Sequence, residues 1–284
     1  MKTRRDFLKI AVGSFFLADT TSLFDAECKY RTTWKIGICD WDLRASGSSS
    51  SFAIAKELGF EGVQVSYQPE GPDSLANKTN RKKFIEAAKE SGICFASLCI
   101  GLLNDRPLAT TPEAIGWVED CINAMNEMNI DQVLVPFFGN GDLTQHEGHL
   151  PLVIEKFKQL AKIAGKNKKI LAVESYLSAE EHLKLIDAIG SDAVKVYYDV
   201  RNSRNKNYDI FHEIELLGKN KMISQIHFKE DGCILGEGDI NFTKVCETLD
   251  MIEYDGWIVV ESSSSKDWRK SQIANAQFVK KLIN

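Results

Sequence analysis

The sequence predicts an α/β protein built as a single (β/α)8 barrel, and three observations carry that prediction. Eight short stretches rich in Val, Ile and aromatic residues alternate with segments of helical periodicity. That order demands parallel strands joined by right-handed crossovers. The chain behind its N-terminal segment is the size of one barrel, which commonly runs to about 250 residues. The last four strand-like runs each close on an ionisable residue, and barrel active sites lie at the carboxyl ends of the strands.

Taken in order, the chain opens on a targeting segment, assigned to residues 1–26, ahead of a catalytic barrel over 34–284. Thr3-Arg4-Arg5-Asp6-Phe7-Leu8-Lys9 resembles the bacterial twin-arginine export motif. The apolar stretch behind it, Ile10 to Ala18, is about half the length needed to span a bilayer, so no stable membrane insertion is expected after processing. Cleavage is expected after Ala18 or Ala26. The expected location is the periplasm, or the cytoplasm if the arginine pair is not read. Seven cysteines would suggest disulfides in an oxidising compartment. Twin-arginine substrates, however, fold before export, and Cys39, Cys94 and Cys99 sit inside strand-like runs where cysteine is a small hydrophobe. No disulfide is expected, and the lack of a Cys-x-x-Cys pair argues against a thiolate metal site. A net charge of −5 leaves no basic surplus for a nucleic-acid partner.

Strands are expected at 34–41, 62–67, 94–101, 132–138, 170–176, 194–200, 223–229 and 256–262. Between them, Ile115, Val118, Ile122 and Met125, then Phe157, Leu160, Ala161 and Ala164, then Leu183, Ile186 and Ile189, then Val245, Leu249 and Ile252 recur at helical spacing. Thr111-Pro112-Glu113 reads as an N-cap with proline at the first helical position, and Ser178-Ala-Glu-Glu181 as a capping box. Gly59, Gly92, Gly165, Gly190 and Gly218 stand where helices should stop. No Gly-x-Gly-x-x-Gly follows the first strand, which argues against a dinucleotide fold.

The candidate site is Glu174 in Ile170-Leu-Ala-Val-Glu-Ser-Tyr176, Asp199 in Val194-Lys-Val-Tyr-Tyr-Asp-Val200, His227 in Ile223-Ser-Gln-Ile-His-Phe-Lys229, and Glu261 in Gly256-Trp-Ile-Val-Val-Glu-Ser262. A charge at the end of a strand covered on both faces has left water at a cost unless it is paired or metal-bound. One such acid is ordinarily a helix cap or an ion-pair partner. Three carboxylates and one imidazole on consecutive strands form a hard, mostly oxygen ligand set, suited to Mn²⁺, Mg²⁺ or Co²⁺ and less typical of structural zinc.

The pattern resembles the xylose isomerase-like TIM barrel family of sugar isomerases and epimerases over about residues 34 to 283. The matching stretches are Val173-Glu174, Tyr198-Asp199, Ile226-His227-Phe228-Lys229-Glu230, Leu235-Gly236-Glu237-Gly238-Asp239-Ile240-Asn241-Phe242 and Val260-Glu261. The resemblance implies that Glu174, Asp199, His227 and Glu261 bind one divalent ion, Mn²⁺ first with Mg²⁺, Co²⁺ or Zn²⁺ as alternatives, and that the two glutamates also move protons. Ketose 3-epimerases of the family carry a His three residues after the Asp and an Arg six after the metal His, whereas this chain has Asn202 and Cys233. Asn202 can still donate a hydrogen bond, but Cys233 cannot replace a guanidinium.

Around the four, Lys229, Asn202, Trp41, Phe137 and Glu237 are candidate substrate contacts. Lys229 shares a strand face with His227 and either bonds a substrate oxygen or faces solvent. Trp41, Phe137 and Phe138 either stack on sugar C–H groups or pack in the core. His146 and His149 have no carboxylate partner in the sequence and are read as loop or helix residues. Gly236-Glu237-Gly238-Asp239 would repel a phosphate, which favours an unphosphorylated sugar. The expected activity is metal-dependent isomerisation or epimerisation of a keto-sugar or keto-glycoside, with a homo-oligomer compatible. The alternatives are an inosose dehydratase-type lyase, a non-catalytic periplasmic sugar-binding protein and an apurinic endonuclease-like hydrolase. The last normally uses a His-rich trinuclear zinc cluster, and this chain has five His.

Overall fold

In a computed structural model, residues 34–262 and 267–283 are described. The export segment and its cleavage positions lie outside the described residues. Eight parallel strands close on themselves in chain order: β1 Lys35–Cys39, β2 Gly62–Ser66, β3 Cys94–Cys99, β4 Gln132–Phe137, β5 Ile170–Ser175, β6 Val194–Asp199, β7 Ile223–Phe228 and β8 Trp257–Val260. The ring is sealed by β1 against β8, where Ile36 lies beside Ile258 and Ile38 beside Val260. Each expected strand is present. All end one or two residues early, although residues just past several of them still bond the neighbouring strand, as Tyr67 N does Cys99 O and Ile100 N does Leu134 O.

The helices are α1 Ser51–Leu58, α2 Lys78–Ser91, α3 Ala114–Met128, α4 His149–Lys166, α5 Ala179–Ile189, α6 Val200–Asn205, α7 Ile210–Lys219, α8 Phe242–Met251 and α9 Trp268–Ile283. Val118, Ile122, Met125, Phe157, Leu160, Val245 and Leu249 are buried between helices and strands, on the faces that the periodicity predicts. At Ser178 the capping box forms as read: its hydroxyl accepts from Glu181 N, and the Glu181 carboxylate accepts from Ser178 N.

Three expected helix ends are displaced. The third helix starts at Ala114, not after a Thr111 cap, because Thr110 N and Thr111 N turn back onto Pro107 O. The fourth and seventh helices run past Gly165 and Gly218, and are closed instead by Asn167 and Asn220, whose side-chain amides donate to Ile163 O and Leu216 O. At Gly218 the lack of a side chain serves packing, since a Cβ there would run into Ile252 at the end of α8. The six cysteines among the described residues are free, and Cys28 lies outside them. No described helix is long and apolar enough to cross a membrane.

Candidate metal centre

Each of the four ligand candidates is delivered to the carboxyl mouth of the barrel by its strand, and neighbouring groups assign its atoms. Asp199 ends β6 and caps α6: one oxygen, Oδ1, accepts from Arg201 N and Asn202 N, both at 2.8 Å. Its other oxygen, Oδ2, is buried without a hydrogen-bond partner and lies 3.7 Å from His227 Nδ1. A carboxylate that spends one oxygen on a helix and leaves the other orphaned is poised to accept a cation.

Glu174, on β5, lies beside Pro136 of β4 and accepts from Asn202 Nδ2 at 3.2 Å. His227, on β7 beside Asp199, is fully buried. Its Nδ1 is 3.4 Å from Glu174 Oε1 and 3.3 Å from Glu261 Oε2. Glu261 follows β8, where its own N–H bonds Phe228 O, so the backbone ladder sets its position. All four ligand atoms lie within 4.8 Å of one another. The donor set, three carboxylate oxygens and one imidazole nitrogen around an orphaned oxygen, fits one hard divalent cation.

Burial pushes the Glu174 carboxyl up to about 7. Burial pushes Asp199 the same way, but the Lys229 ammonium and His227 outweigh it and hold Asp199 down at about 2. His227 shows the reverse balance: burial opposes its charge, yet Glu261 and Glu174 lift it to about 10. The cluster therefore holds protons that a cation would have to displace.

Lys229 is brought to the site, 2.9 Å from Glu261 Oε2 and 3.6 Å from Asp199 Oδ2, and is not a solvent-facing lysine. Trp41 reaches the site through its indole N–H, which donates to Glu261 Oε1 at 3.2 Å. Beside the cluster opens a cavity of about 650 Å³ lined by Trp41, Ser66, Asn104, Phe138, Glu174 and Glu261, among others. Phe137 is not brought there. It pairs with Ser175 in the register and packs on Phe157 in the helix layer, so Phe138 is the aromatic residue that faces the cavity. Glu237 is exposed and outside the cavity lining. His146 and His149 stack on each other at the start of α4, with ring centroids 4.8 Å apart.

The Xylose isomerase-like TIM barrel family matches residues 52–282. The chain belongs to that family. No curated protein matches it. Among solved structures, 3-keto-D-glucoside 4-epimerase YcjR from E. coli aligns at 15% identity over 87% of this chain and 99% of its own, with a TM-score of 0.74. D-psicose 3-epimerase from Clostridium cellulolyticum H10 aligns at 16% identity over 88% of this chain and 99% of its own, also at 0.74. An L-ribulose 3-epimerase aligns at 18% identity over 88% and 94%, at 0.71. At these identities the likeness is one of fold.

Three groups in this xylose isomerase-like barrel escape the sequence reading. Asp40 is fully buried just after β1, accepting from Gly47 N, Ser66 N and Ser66 Oγ, and so stitches the first loop to the end of β2. Asp42 is buried near Glu261, and burial first, then that neighbour, push its carboxyl up to about 8. Both follow the strand-end rule that found the other four. Arg201 is buried against the carboxylate of Glu230 and bonds Asp239 at 2.7 Å. The glycine-acid run thus clasps α6 to the loop after β7, and a Cβ on Gly238 would collide with the Glu230 carboxylate.

Proposed function

We propose that the protein is a divalent-metal-dependent isomerase or epimerase that moves a proton through an enediolate on an unphosphorylated keto-sugar or keto-glycoside. The observation that carries this reading is the placement of two glutamates, Glu174 and Glu261, at one cavity wall around the orphaned oxygen of Asp199. A divalent ion such as Mn²⁺, held by Glu174, Asp199, His227 and Glu261, would supply Lewis acidity that makes a proton next to a carbonyl removable. The carboxylates of Glu174 and Glu261 take that proton from one face of the substrate and return one to the other. Asn202 holds the Glu174 carboxylate through its amide, and Trp41 and Lys229 hold that of Glu261.

Charge supports an unphosphorylated substrate. Among the described residues the cavity lining carries Glu70, Asp105, Glu174 and Glu261 and no lysine or arginine. A phosphate would meet repulsion there. The lining comes mostly from the loops after β1 to β4, and the space suits a keto-sugar carrying a further group better than a bare triose. The likeness in fold to keto-sugar and keto-glucoside epimerases supports the same class.

The test is solvent exchange. Protein loaded with Mn²⁺ is incubated in heavy water with keto-sugars, inososes and keto-glycosides, and recovered material is analysed by mass spectrometry and NMR. Deuterium beside the carbonyl together with an inverted centre supports the reading. Loss of water assigns a dehydratase, and binding without exchange assigns a sugar-binding protein.

A further inference from the structure

Beneath the ligand cluster a chain of buried side chains crosses the barrel from β7 to β2 and β3 and back. His227 Nε2 lies 2.8 Å from Gln64 Oε1, Gln64 Nε2 is 2.9 Å from Ser97 Oγ, Ser97 Oγ is 2.8 Å from Gln225 Oε1, and Gln225 Nε2 is 2.9 Å from Ala96 O. His227, Gln64, Ser97 and Gln225 are all fully buried. Cys39 donates its thiol to the same Gln64 oxygen at 3.2 Å, and its sulfur lies 3.4 Å from His227 Nε2.

The polarity of this chain is fixed from its far end. A backbone carbonyl can only accept, so Gln225 must turn its NH₂ to Ala96 O and its oxygen to Ser97. The single Ser97 hydroxyl hydrogen is then committed to Gln225 Oε1, which leaves Ser97 Oγ only as an acceptor for Gln64. Gln64 must therefore present NH₂ to Ser97 and its oxygen to His227. Reversing any one amide would place two acceptors or two donors face to face in a dry core, at the cost of an unmade buried hydrogen bond.

We infer that Gln64, oriented through Ser97 and Gln225 by Ala96 O, is a positioning residue that holds the Nε2 proton of His227, so that the proton an incoming cation displaces is the one on Nδ1. The proton assignment stands on the hydrogen-bond chain alone. Its consequence for metal binding rests on the proposed function. A ligand imidazole whose distal N–H is held by an acceptor has its tautomer and ring orientation set, and loss of such partners costs metal affinity about ten- to hundredfold.

Nitrogen-15 NMR of histidine-labelled, metal-free protein reads the proton, with the resonance assigned by its loss in His227→Gln. The expected result is an Nε2 proton that exchanges slowly with water, made fast by Gln64→Leu and by Ser97→Ala. Titration with Mn²⁺ reads the consequence: Ser97→Ala and Gln225→Leu, neither of which faces the cluster, weaken binding about ten- to hundredfold. Should Gln64→Leu fail to fold, Ser97→Ala and Gln225→Leu decide. Fast exchange in the wild type, or unchanged exchange in the variants, overturns the inference. Slow exchange in a wild type that binds no Mn²⁺ upholds the proton assignment and removes the metal-site reading instead.

Discussion

Lys229 Nζ lies 2.9 Å from Glu261 Oε2 and 3.6 Å from Asp199 Oδ2, so one ammonium of the chain itself partly neutralises the acid cluster. Burial opposes the Lys229 charge, but Asp199 and Glu261 outweigh it and push its pKa above the ordinary lysine value. Lys229→Met leaves those carboxylates with one compensating charge fewer. The variant is expected to melt a few degrees lower than wild type without metal, as a loss of roughly 1–2 kcal/mol implies for a chain of this size. Saturating Mn²⁺ closes most of the gap, because the cation replaces the missing charge. Calorimetric scans of both proteins with and without Mn²⁺ measure this. A gap that persists in full with the ion bound would assign Lys229 to packing alone.

Metal binding should be pH-dependent in a stated direction. In the metal-free protein His227 sits at about 10 and Glu174 at about 7. At about pH 8 an incoming ion displaces the Nδ1 proton of His227, and at about pH 6 it also displaces most of that on Glu174. Affinity therefore rises with pH, and proton release climbs from about one towards two per ion as pH falls across that range. Titration calorimetry in buffers of different ionisation enthalpy counts these protons. Asp199→Ala and His227→Ala are each expected to weaken binding at least about tenfold. Binding at wild-type strength in the double variant would place the ion elsewhere.

His182 gives a pH effect remote from the cavity. It is buried on α5, between Ser175 Oγ at 2.9 Å and Ser178 O at 3.0 Å, and burial pushes its pKa down from 6.5 to about 4. The folded value is depressed, so between 6.5 and 4 the unfolded chain takes up a proton that the folded one refuses. Stability is lost as pH falls through that window and levels off below it, by about 3 kcal/mol in all. Denaturation of wild type and His182→Gln at several pH values isolates the effect, since the other acids titrate in both. The variant should be less stable at neutral pH and its curve flatter below. Parallel curves would mean that His182 titrates normally.

The four clustered positions were legible as candidates because a charge at the end of an apolar run needs a reason, and four in succession suggest a shared one. Asp40 obeys the same rule but was absorbed into the expected strand 34–41, and Asp42 lies one residue beyond it, so the burial of both went unread. Gln64 was out of reach: its partner His227 is 163 residues away, and a lone amide inside a strand has no local signature. Phe137 and Phe138 show what phase adds. Alternation puts one of two adjacent aromatics inward, but only the register, with Pro136 beside Glu174 and Phe137 beside Ser175, says which. The glycines at 165 and 218 were read as stops because glycine marks helix ends, whereas at Gly218 the close approach of Ile252 required the missing side chain.

The proposed mechanism makes the sharpest demand on Glu174 and Glu261, which it assigns both as metal ligands and as proton carriers. Replacing either with Gln keeps an oxygen donor and nearly the same volume while removing the basic group. Turnover should fall by roughly 10²- to 10⁴-fold, the usual cost of losing a general acid or base, while Mn²⁺ occupancy falls far less. The two variants should also differ from each other. Asn202 and His227 contact Glu174, and its carboxyl lies near neutrality, whereas Glu261 is tied to Lys229 and Trp41. Loss of one face leaves the other free to remove a proton, so one Gln variant should still wash deuterium into the substrate from heavy water without forming product. Mass spectrometry of recovered substrate, run beside product analysis, shows which glutamate works on which face. Near wild-type turnover in both variants would end the two-carboxylate mechanism.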